Sequence, residues 1–470
     1  MKFYGKIKRA HFIGIGGSGM SGIAELCLAH GLSVTGSDAK ESEAVERLRA
    51  LGAIIAIGHH EEEADGADVV VYSSAIALDH PALARAHALG IAVIPRAEML
   101  AELLRLSYAV LVAGSHGKTT VTSMIADLLT RGGLDPTVVI GGRLGRMGSG
   151  ARLGASHLTV AEADESDGSF LLLRPSVCVI TNIDREHLDH YGSYERLLAA
   201  YVDFANQAPF FGRILLCADD PGARSILGSL RRPVTTYGTT DDCDLQIESM
   251  ALQGVGARFR LRGPAGAAEF SLSLPGRHNV LNAAAALGAA AEVGLSWEKA
   301  APLLENFHNA DRRFEFKGEA RGVSVYDDYG HHPTEVMATL AAARAAFPGR
   351  RLIAAFEPHR YSRTHLCFAE FTRAFGDCDQ LFLTEIYPAG EAPRPGITGR
   401  ALAGAIAASG RPVEFVATVG ELPERLAAEV RAGDVVLTLG AGTITGVGPQ
   451  LLARILTSEA ATADARVAAS

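Results

Sequence analysis

Two glycine-rich segments each follow an apolar run and precede a pattern typical of a helix. In the first, Gly14, Gly16 and Gly19 have the spacing G-x-G-x-x-G, and Asp38 closes the next apolar segment. Such a loop presents backbone N–H groups and the positive end of a helix dipole to a diphosphate. The spacing fits a dinucleotide or any other nucleotide diphosphate, and a glycine-rich turn without a ligand can have the same letters.

The second glycine-rich segment is G-S-H-G-K-T-T, residues 114–120. It predicts a phosphate loop in which backbone amides surround phosphates, Lys118 reaches the outer phosphates and the Thr119 hydroxyl binds Mg²⁺. A simple ATPase or a simple dehydrogenase needs only one such loop. Two loops therefore indicate an ATP-using enzyme whose other substrate is itself a nucleotide.

Two acidic segments follow the phosphate loop along the chain. A-E-A-D-E-S-D (161–167) ends one apolar strand, and T-N-I-D-R-E-H-L-D-H (181–190) ends the next. Neighbouring carboxylates repel each other unless a cation lies between them, so a Mg²⁺ ion beside ATP is the natural interpretation. His187 in the second segment is a candidate metal ligand or substrate-orienting residue, and a solvated acidic loop is the plain alternative.

A third polar region lies near the C-terminal end of the sequence. Y-D-D-Y-G-H-H-P-T-E (326–335) and F-E-P-H-R-Y-S-R-T (356–364) are too polar for core strands. Arg360 and Arg363 are spaced so that both guanidinium groups can reach one carboxylate or phosphate. Exposed loops remain the alternative interpretation.

The elements that must hold these segments alternate between short apolar strands and helix-length stretches. This alternation predicts an α/β fold with parallel sheets. We place a first domain over 1–107, a second over 108–310 and a third over 311–470, with a frayed tail from about 457. The predicted strands lie at 10–16, 33–38, 68–74, 91–94, 108–114, 157–166, 176–184, 212–220, several within 243–275, 323–330, 351–359, 380–388, 413–417 and 434–442.

Composition and charge narrow the class of protein. The chain has 470 residues, 48% of them hydrophobic, and a net charge of −9, which gives no broad attraction for nucleic acid. We find no apolar run of membrane-spanning length. The six cysteines are scattered without a C-x-x-C pair, which argues against a zinc ribbon and favours a reducing compartment. The sequence thus predicts a cytoplasmic enzyme that binds neither a membrane nor nucleic acid.

Taken together, these segments resemble the Mur ligase family. The resemblance runs from about Ala10 to about Gly448, and its specificity comes from the order of the motifs rather than from any single one. The ordered motifs are G-I-G-G-S-G-M-S-G, Y-S-S-A-I, G-S-H-G-K-T-T, A-E-A-D-E-S-D, G-R-H-N-V-L-N-A, Y-D-D-Y-G-H-H-P-T-E, P-H-R-Y-S-R-T and I-Y-P-A-G-E.

The resemblance implies a Rossmann-like N-terminal domain that binds a UDP substrate, a central P-loop ATPase domain with a mainly parallel sheet, and a Rossmann-like C-terminal domain that brings an amino acid. It implies a ligase that joins L-alanine to UDP-N-acetylmuramate in peptidoglycan precursor synthesis. ATP would phosphorylate the muramoyl carboxylate, and the alanine amine would attack the acyl phosphate through a tetrahedral intermediate, releasing phosphate. The implied enzyme is a monomer or weak homodimer.

The resemblance also assigns site residues. The residues implied to bind ATP are Gly114, Ser115, His116, Gly117, Lys118, Thr119, Thr120, His278, Asn279, Asn282, Arg313 and Asp327. The residues implied to bind the UDP substrate are Gly16, Gly17, Ser18, Gly19, Asp38, Ser73 and Ser74. Those implied to bind L-alanine are Tyr329, His331, Arg360 and Arg363. The metal ligands are Thr119, Glu162 and His187, for Mg²⁺ with Mn²⁺ tolerated; the catalytic residues are Lys118, Glu162, His187, His331, Arg360 and Arg363.

One difference from the family pattern concerns lysine. Several Mur ligases use a carbamylated lysine to position Mg²⁺, but this chain has no lysine between Lys118 and Lys299. Glu186 stands where other members often have aspartate, which leaves its role open. The alternatives are a murein-tripeptide recycling ligase of the same family, an NAD-dependent oxidoreductase and a non-catalytic nucleotide sensor; the oxidoreductase leaves the second phosphate loop unexplained.

Overall fold

The computed structural model describes residues 6–58, 60–73, 76–105, 107–140, 151–264 and 266–467, without the side chains of Ser18 and of 458–467. The described residues form three mainly parallel sheets flanked by helices, which confirms the α/β fold class. The chain divides into two compact units. The first comprises Met1–Ser249, Phe259–Ser271 and Leu281–Ala310, and the second Met250–Arg258, Leu272–Val280 and Asp311–Ser470.

The first sheet holds the first glycine-rich segment. Its elements are β1 (Arg9–Ile13), α1 (Ser18–Ala29), β2 (Ser33–Asp38), α2 (Glu43–Ala50), β3 (Ile54–Ile57), β4 (Val69–Tyr72), α3 (Pro81–Ala88), β5 (Ala92–Pro95) and α4 (Arg96–Leu104). The strands are parallel in the order β3-β2-β1-β4-β5. The order reverses between β1 and β4, so the loops after these two strands lie at the switch point of the sheet, the place where open α/β sheets generally bind ligands.

The second sheet holds the phosphate loop and both acidic segments. Its elements are β6 (Tyr108–Ala113), α5 (Lys118–Arg131), β7 (Thr137–Val139), β8 (Ala151–Arg152), β9 (Leu158–Glu162), β10 (Val177–Ile180), α6 (Leu188–Tyr191), α7 (Tyr194–Asn206), β11 (Arg213–Cys217), α8 (Pro221–Ser225), β12 (Val234–Gly238), β13 (Leu245–Gln253), β14 (Gly256–Gly263), β15 (Gly266–Leu272), α9 (Arg277–Glu292) and α10 (Trp297–Glu305). The order is β15-β14-β13-β12-β11-β10-β6-β9-β7-β8. Strands β6 and β10 pair in parallel and are apolar and buried, as central parallel strands are.

The third sheet holds the C-terminal polar segments. Its elements are β16 (Glu315–Ala320), β17 (Val323–Asp328), α11 (Pro333–Ala346), β18 (Leu352–Phe356), α12 (Tyr361–Leu366), α13 (Phe368–Phe371), β19 (Gln380–Leu383), α14 (Gly399–Ala408), β20 (Val413–Phe415), α15 (Leu422–Glu429), β21 (Val435–Leu439) and α16 (Val447–Val467). The order is β16-β17-β21-β18-β19-β20, with β16 antiparallel to β17. Short 3-10 turns lie at Glu61–Ala64, Ser169–Leu172, Leu227–Ser229, Val419–Glu421 and Thr443–Gly446.

Several elements differ from the sequence prediction. Strands β3, β7, β8, β12 and β16 were not predicted, because each is short or lacks a continuous apolar run. In the segment where we expected a frayed tail, the backbone continues as helix α16 to Val467, in an alanine-rich stretch with high helix propensity; fraying of this end stays a prediction. After β15 the chain forms two helices, α9 and α10, which are separated at Gly294, a residue with a positive φ.

Two further observations bear on the setting of the protein. The six cysteines lie in the described part of the chain, and each is a buried thiol. Among the described residues, none of the helices has both the length and the apolar character needed to cross a membrane.

Candidate functional site

The phosphate loop joins β6 to α5, and its two glycines occupy positions that other residues could not. Gly114 has φ +140°, and a Cβ there would collide with the Thr181 hydroxyl and lie 3.1 Å from the Asn182 nitrogen. Gly117 has φ +82°, and a Cβ there would lie 2.8 Å from Asn282 Oδ1. These glycines therefore let the loop lie directly against the residues that follow β10 and against Asn282 of α9.

Hydrogen bonds from the end of β10 fix the loop between those glycines. The Ser115 N–H donates to the Asn182 carbonyl (3.1 Å), and the His116 N–H donates to Asn182 Oδ1 (2.8 Å). The Asp184 N–H donates to Ser115 Oγ (2.9 Å), and the His116 ring nitrogen Nε2 lies 3.0 Å from Asp184 Oδ2. The second acidic segment thus holds the loop in a fixed conformation, as a preorganised phosphate site requires.

Lys118, the residue predicted to reach the outer phosphates, is paired with a carboxylate. Its Nζ lies 3.0 and 2.9 Å from the two carboxylate oxygens of Glu165, a side chain only 1% exposed, and it donates to the Ser115 carbonyl (3.1 Å). Burial lowers the pKa of Lys118, but the carboxylates of Glu165 and Asp164 raise it above its usual value. Lys118 is therefore charged and neutralised by Glu165, a residue that our sequence analysis did not assign to the site.

Glu165 also belongs to a group of three potential metal ligands. One ligand atom from each of Glu165, Glu186 and His187 lies within 4.8 Å of the others, and His187 Nε2 is 3.6 Å from Glu165 Oε1. His187 has φ +56°, a strained conformation that places its ring at the start of α6. Carboxylate oxygens with one imidazole fit Mg²⁺ and would accept Mn²⁺.

This group differs from the metal ligands inferred from the sequence. His187 is shared between the two sets, whereas Glu165 and Glu186 were not among the ligands inferred from the sequence. Glu162 is the last residue of β9, in register with Val112 of β6. Glu165 follows three residues later, in the loop after β9, where it contacts Lys118. The roles of Glu162 and Thr119 as ligands stay predictions.

The other residues predicted to bind ATP are divided between the two compact units. In the first unit, Thr120 is buried in α5 and Asn282 is buried beside Gly117. In the second unit, Asn279 donates to the Pro275 carbonyl (2.8 Å). Burial lowers the pKa of His278 to about 4, so its imidazole is neutral near neutral pH.

The first glycine-rich segment forms the turn between β1 and α1. Gly14 has φ +77°, and a Cβ there would lie 3.8 Å from the Ser73 Cβ in the loop after β4. The Gly16 N–H donates to Asp38 Oδ2 (2.8 Å), so Asp38 holds the turn as well as closing β2. Gly17 caps α1. Ser74 and the Ser18 side chain lie outside the described residues, and their predicted roles stay predictions.

In the second unit, Asp327 positions a neighbouring arginine. Its carboxylate is fully buried and accepts from Arg312 Nε (3.0 Å), Thr438 Oγ1 (2.6 Å) and Thr445 Oγ1 (2.8 Å). Arg312 has φ +59° and lies 5.1 Å from the centre of the Tyr329 ring, as does Arg313. A contact of Asp327 or Arg313 with ATP stays a prediction; in the structure Asp327 holds Arg312, which we did not select.

The residues predicted to bind alanine form a cluster of rings and guanidinium groups. Tyr329 and His331 make an edge contact at 5.2 Å, and His331 lies 5.8 Å from His359. Arg363 Nη1 donates to the His359 carbonyl (3.2 Å). Burial, and then the nearby charges of His331 and Arg363, lower the pKa of His359 to about 3, so its ring is neutral.

Arg360 and Tyr387 complete this cluster. Arg360 has φ +71° at the start of α12, and its N–H donates to the Tyr387 carbonyl (2.8 Å). The Tyr387 ring stacks on His359 at 5.4 Å. Our sequence analysis omitted His359 and Tyr387, although both stand in the quoted motifs P-H-R-Y-S-R-T and I-Y-P-A-G-E, directly after apolar strands.

Comparison with known proteins agrees with this architecture. Family descriptions match three consecutive regions: the Mur ligase family catalytic domain at 9–108, the Mur ligase middle domain at 112–290 and the Mur ligase glutamate ligase domain at 312–442. The chain belongs to the Mur ligase family. The three Mur ligase regions contain, in turn, the first glycine-rich segment, the phosphate loop and the C-terminal cluster.

Individual Mur ligases are similar over nearly the whole chain. The UDP-N-acetylmuramate–L-alanine ligase of Myxococcus xanthus (strain DK1622) is 50% identical over 452 residues, covering 96% of this chain and 96% of the relative. The enzyme of the same name from Geobacter sp. (strain M21) is 49% identical over 454 residues, covering 96% of this chain and 98% of the relative. The crystal structure of UDP-N-acetylmuramate-alanine ligase from Thermotoga maritima matches with a TM-score of 0.81 at 27% identity, covering 96% and 100%.

Proposed function

We propose that the chain is an ATP-dependent ligase that joins L-alanine to the carboxylate of UDP-N-acetylmuramate in peptidoglycan precursor synthesis. The observation that carries this proposal is the presence of two glycine-rich strand-to-helix loops in one compact unit, one holding Lys118 and one containing Gly16. One ATP and one sugar nucleotide account for both loops. The names of the relatives that are about 50% identical to this chain support the same substrates.

The proposed reaction assigns a task to each cluster. The loop from Gly114 to Lys118 holds the ATP phosphates, and Lys118 leaves Glu165 to neutralise charge on the outer phosphates. The phosphoryl group passes to the muramoyl carboxylate, giving an acyl phosphate and ADP. The neutral alanine amine then attacks the acyl carbon, and phosphate leaves. Electrostatic stabilisation of this kind often supplies much of the rate enhancement.

The metal group and the C-terminal cluster support this chemistry. Glu165, Glu186 and His187 would hold Mg²⁺, which when bound offsets phosphate charge. Arg360 and Arg363 would orient the alanine carboxylate, with Tyr329 and His331 beside them. The neutral His359 ring keeps Arg363 in place without competing for the carboxylate. We also propose that the enzyme acts in the cytoplasm as a monomer or weak homodimer, which light scattering would test.

A murein-tripeptide ligase is the alternative within the family. The chain lacks the glycine–asparagine-rich signature expected of that branch and has P-H-R-Y-S-R-T, which that branch is expected to lack. The murein peptide ligase of Psychrobacter arcticus matches with a TM-score of 0.71 at 24% identity, which shows a common fold alone.

A phosphate-release assay tests the proposal. The purified chain is incubated with ATP, Mg²⁺ and UDP-N-acetylmuramate, and each amino acid or the murein tripeptide is added separately. We expect rapid phosphate release with L-alanine and slow release with the tripeptide. Faster release with the tripeptide would overturn the assignment, and a change in nicotinamide absorbance with NAD would support an oxidoreductase instead.

A further inference from the structure

Arg96 lies against the first glycine-rich segment although it is distant from that segment in the sequence. It is the first residue of α4, directly after β5, at the carboxyl edge of the first sheet. A Cβ built on Gly19, in the first turn of α1, would collide with Arg96 Nη1 and lie 3.0 Å from Arg96 Cζ. The absence of a side chain at Gly19 therefore gives the guanidinium its place beside the start of α1.

This position is unfavourable for a cation unless an anion joins it. The N-terminus of a helix has a partial positive charge that disfavours a neighbouring guanidinium. Helix α1 has no acidic residue in its first turn, and within the described residues no side chain caps it. Among those residues Arg96 also has no hydrogen bond or ion pair within 4 Å, so its five N–H donors lack a protein acceptor.

One carboxylate offsets part of this charge from a distance. Burial raises the pKa of Asp164, but Lys118, hydrogen bonds from Ser166 and the charge of Arg96 hold that pKa below its usual value. Asp164 thus lies within electrostatic reach of both Lys118 and Arg96. The stronger partner of Lys118 is Glu165, whereas Arg96 has no such partner within the described residues.

We infer that Arg96 binds the diphosphate of the UDP substrate, completing the site that the first glycine-rich segment and the N-terminus of α1 begin. This inference rests on the proposed function, and it adds a positively charged substrate-binding residue to a loop of backbone amides. A diphosphate fits better than a single carboxylate because two cationic groups, the helix terminus and the guanidinium, converge there. A guanidinium can also contact two phosphate oxygens at once, which an ammonium cannot do in the same geometry.

The inference gives Gly19 a specific reason to be glycine. Alanine at a helical position is ordinarily stabilising relative to glycine. Here the added methyl group would displace the flexible Arg96 side chain rather than the backbone. Gly19→Ala should therefore weaken substrate binding while leaving the fold as stable as before or more so.

Calorimetric titration of the full chain with UDP tests the inference. We expect Arg96→Ala to weaken UDP binding about ten- to a hundredfold, the usual worth of hydrogen bonds to a charged partner. Arg96→Lys should recover only part of this loss. Uridine binding, followed by ligand-observed NMR, should not change. Arg105→Ala, at the exposed C-terminal end of the same helix where Arg105 pairs with Glu102, is the matched control and should bind UDP normally.

A double-mutant cycle connects the two residues. If Gly19→Ala acts by displacing the guanidinium, Gly19→Ala combined with Arg96→Ala should bind UDP no more weakly than Arg96→Ala alone. Additive losses would mean that the methyl group blocks the phosphates directly and that Gly19 does not serve Arg96.

Three other results would overturn the inference. Unchanged UDP binding in Arg96→Ala would show that the guanidinium does not contact the diphosphate. A loss confined to UDP-N-acetylmuramate, with UDP and UDP-N-acetylglucosamine bound normally, would assign Arg96 to the muramoyl carboxylate. Equal losses for UDP and ADP with a lower unfolding temperature would assign it a structural role. Ligase activity of the unmutated chain is measured separately, so failure of the proposed function would be recognised independently.

Discussion

The two glycine-rich loops of the first unit each join a strand to a helix, but they differ in the charges around them. In the loop before α5, Lys118 is neutralised by a buried glutamate, and further carboxylates lie nearby. In the loop before α1, Arg96 has no anionic partner within 4 Å among the described residues. The loop before α5 thus pairs its cation with a buried carboxylate. In the loop before α1 the Asp38 carboxylate accepts from the Gly16 N–H (2.8 Å) instead of pairing with the cation.

This difference indicates how each loop selects its ligand. A triphosphate entering the loop before α5 meets Glu165, Glu186 and Asp164, whose negative charges repel it until a divalent cation is present. A diphosphate entering the loop before α1 meets backbone amides, the Arg96 guanidinium and one carboxylate, Asp38, which is already hydrogen-bonded to the Gly16 N–H. Binding of ATP should therefore depend on a divalent cation, and binding of the UDP substrate should not.

The largest effect is expected at Lys118. Lys118→Ala should lower turnover about 10²- to 10³-fold, since one preorganised contact to the transferring phosphoryl group is lost. The change also leaves Glu165 buried without its partner, which destabilises the fold. Turnover and unfolding by denaturant are the measurements.

A double variant separates these two consequences. Lys118→Ala combined with Glu165→Gln should regain stability and remain inactive, and Lys299→Ala, an exposed lysine on α10, should behave as the unmutated chain. Near-normal turnover in a folded Lys118→Ala variant would contradict the assignment of this loop to ATP.

In the C-terminal cluster, replacing Arg363 by lysine compares a guanidinium with an ammonium group at the same position. Arg363→Lys keeps the charge but loses the planar fork, so the KM for alanine should rise by about tenfold or more. The KM for UDP-N-acetylmuramate should stay nearly constant, because we assign the binding of that substrate to residues of the first unit. Steady-state kinetics with each substrate varied in turn gives both values. An equal rise in the two would argue against an amino-acid site in this cluster.

Glu165→Gln tests the charge difference between the loops directly. Without its negative charge the phosphate loop should bind ADP in EDTA about tenfold more tightly, since one nearby repulsive charge is removed. The increase in ADP affinity on addition of Mg²⁺ should become correspondingly smaller. The affinity for UDP should change neither with the substitution nor with Mg²⁺. Calorimetry with and without Mg²⁺ measures all of these. Weaker metal-free ADP binding would mean that Glu165 orients Lys118 for the phosphates rather than opposing them.

We expect bicarbonate to have no effect on ligase activity. Because no lysine lies between Lys118 and Lys299, the metal group has no amine to carbamylate in that stretch. Arginine cannot substitute, since it stays protonated at neutral pH. Enzyme stripped of CO₂ should thus have the same activity with and without added bicarbonate. A reversible bicarbonate requirement would reopen both the metal ligands and the choice of substrate.

The sequence predicted the three-sheet fold and the position of every loop discussed above, because apolar strands ending in glycine or acidic residues are local signals. It did not predict short strands such as β12 and β16, which depend on pairing with neighbours. The ligand contacts that it assigned to Glu162 and Asp327 stay predictions. The structure adds Glu165, which pairs with Lys118, and Arg312, which pairs with Asp327.

These differences have a common physical cause. Glu165 meets Lys118 because the end of β9 lies beside the loop after β6, a proximity that follows from strand order and not from sequence spacing. Arg96 reaches Gly19 in the same way, across the carboxyl ends of β1, β4 and β5. Motifs identify the segments that do chemistry, but the partners of charged side chains depend on tertiary structure.

The six buried cysteines give the molecule internal reporters of local unfolding. Cys27 lies in α1, Cys178 and Cys217 lie in β10 and β11, and Cys367 and Cys378 flank α13. Burial raises the pKa of Cys27, Cys217 and Cys378 to about 12, so these thiols resist alkylation while the surrounding structure is closed. Pulsed alkylation followed by mass spectrometry would therefore read the opening of each sheet separately, without any engineered label, and would show which of them a bound nucleotide protects.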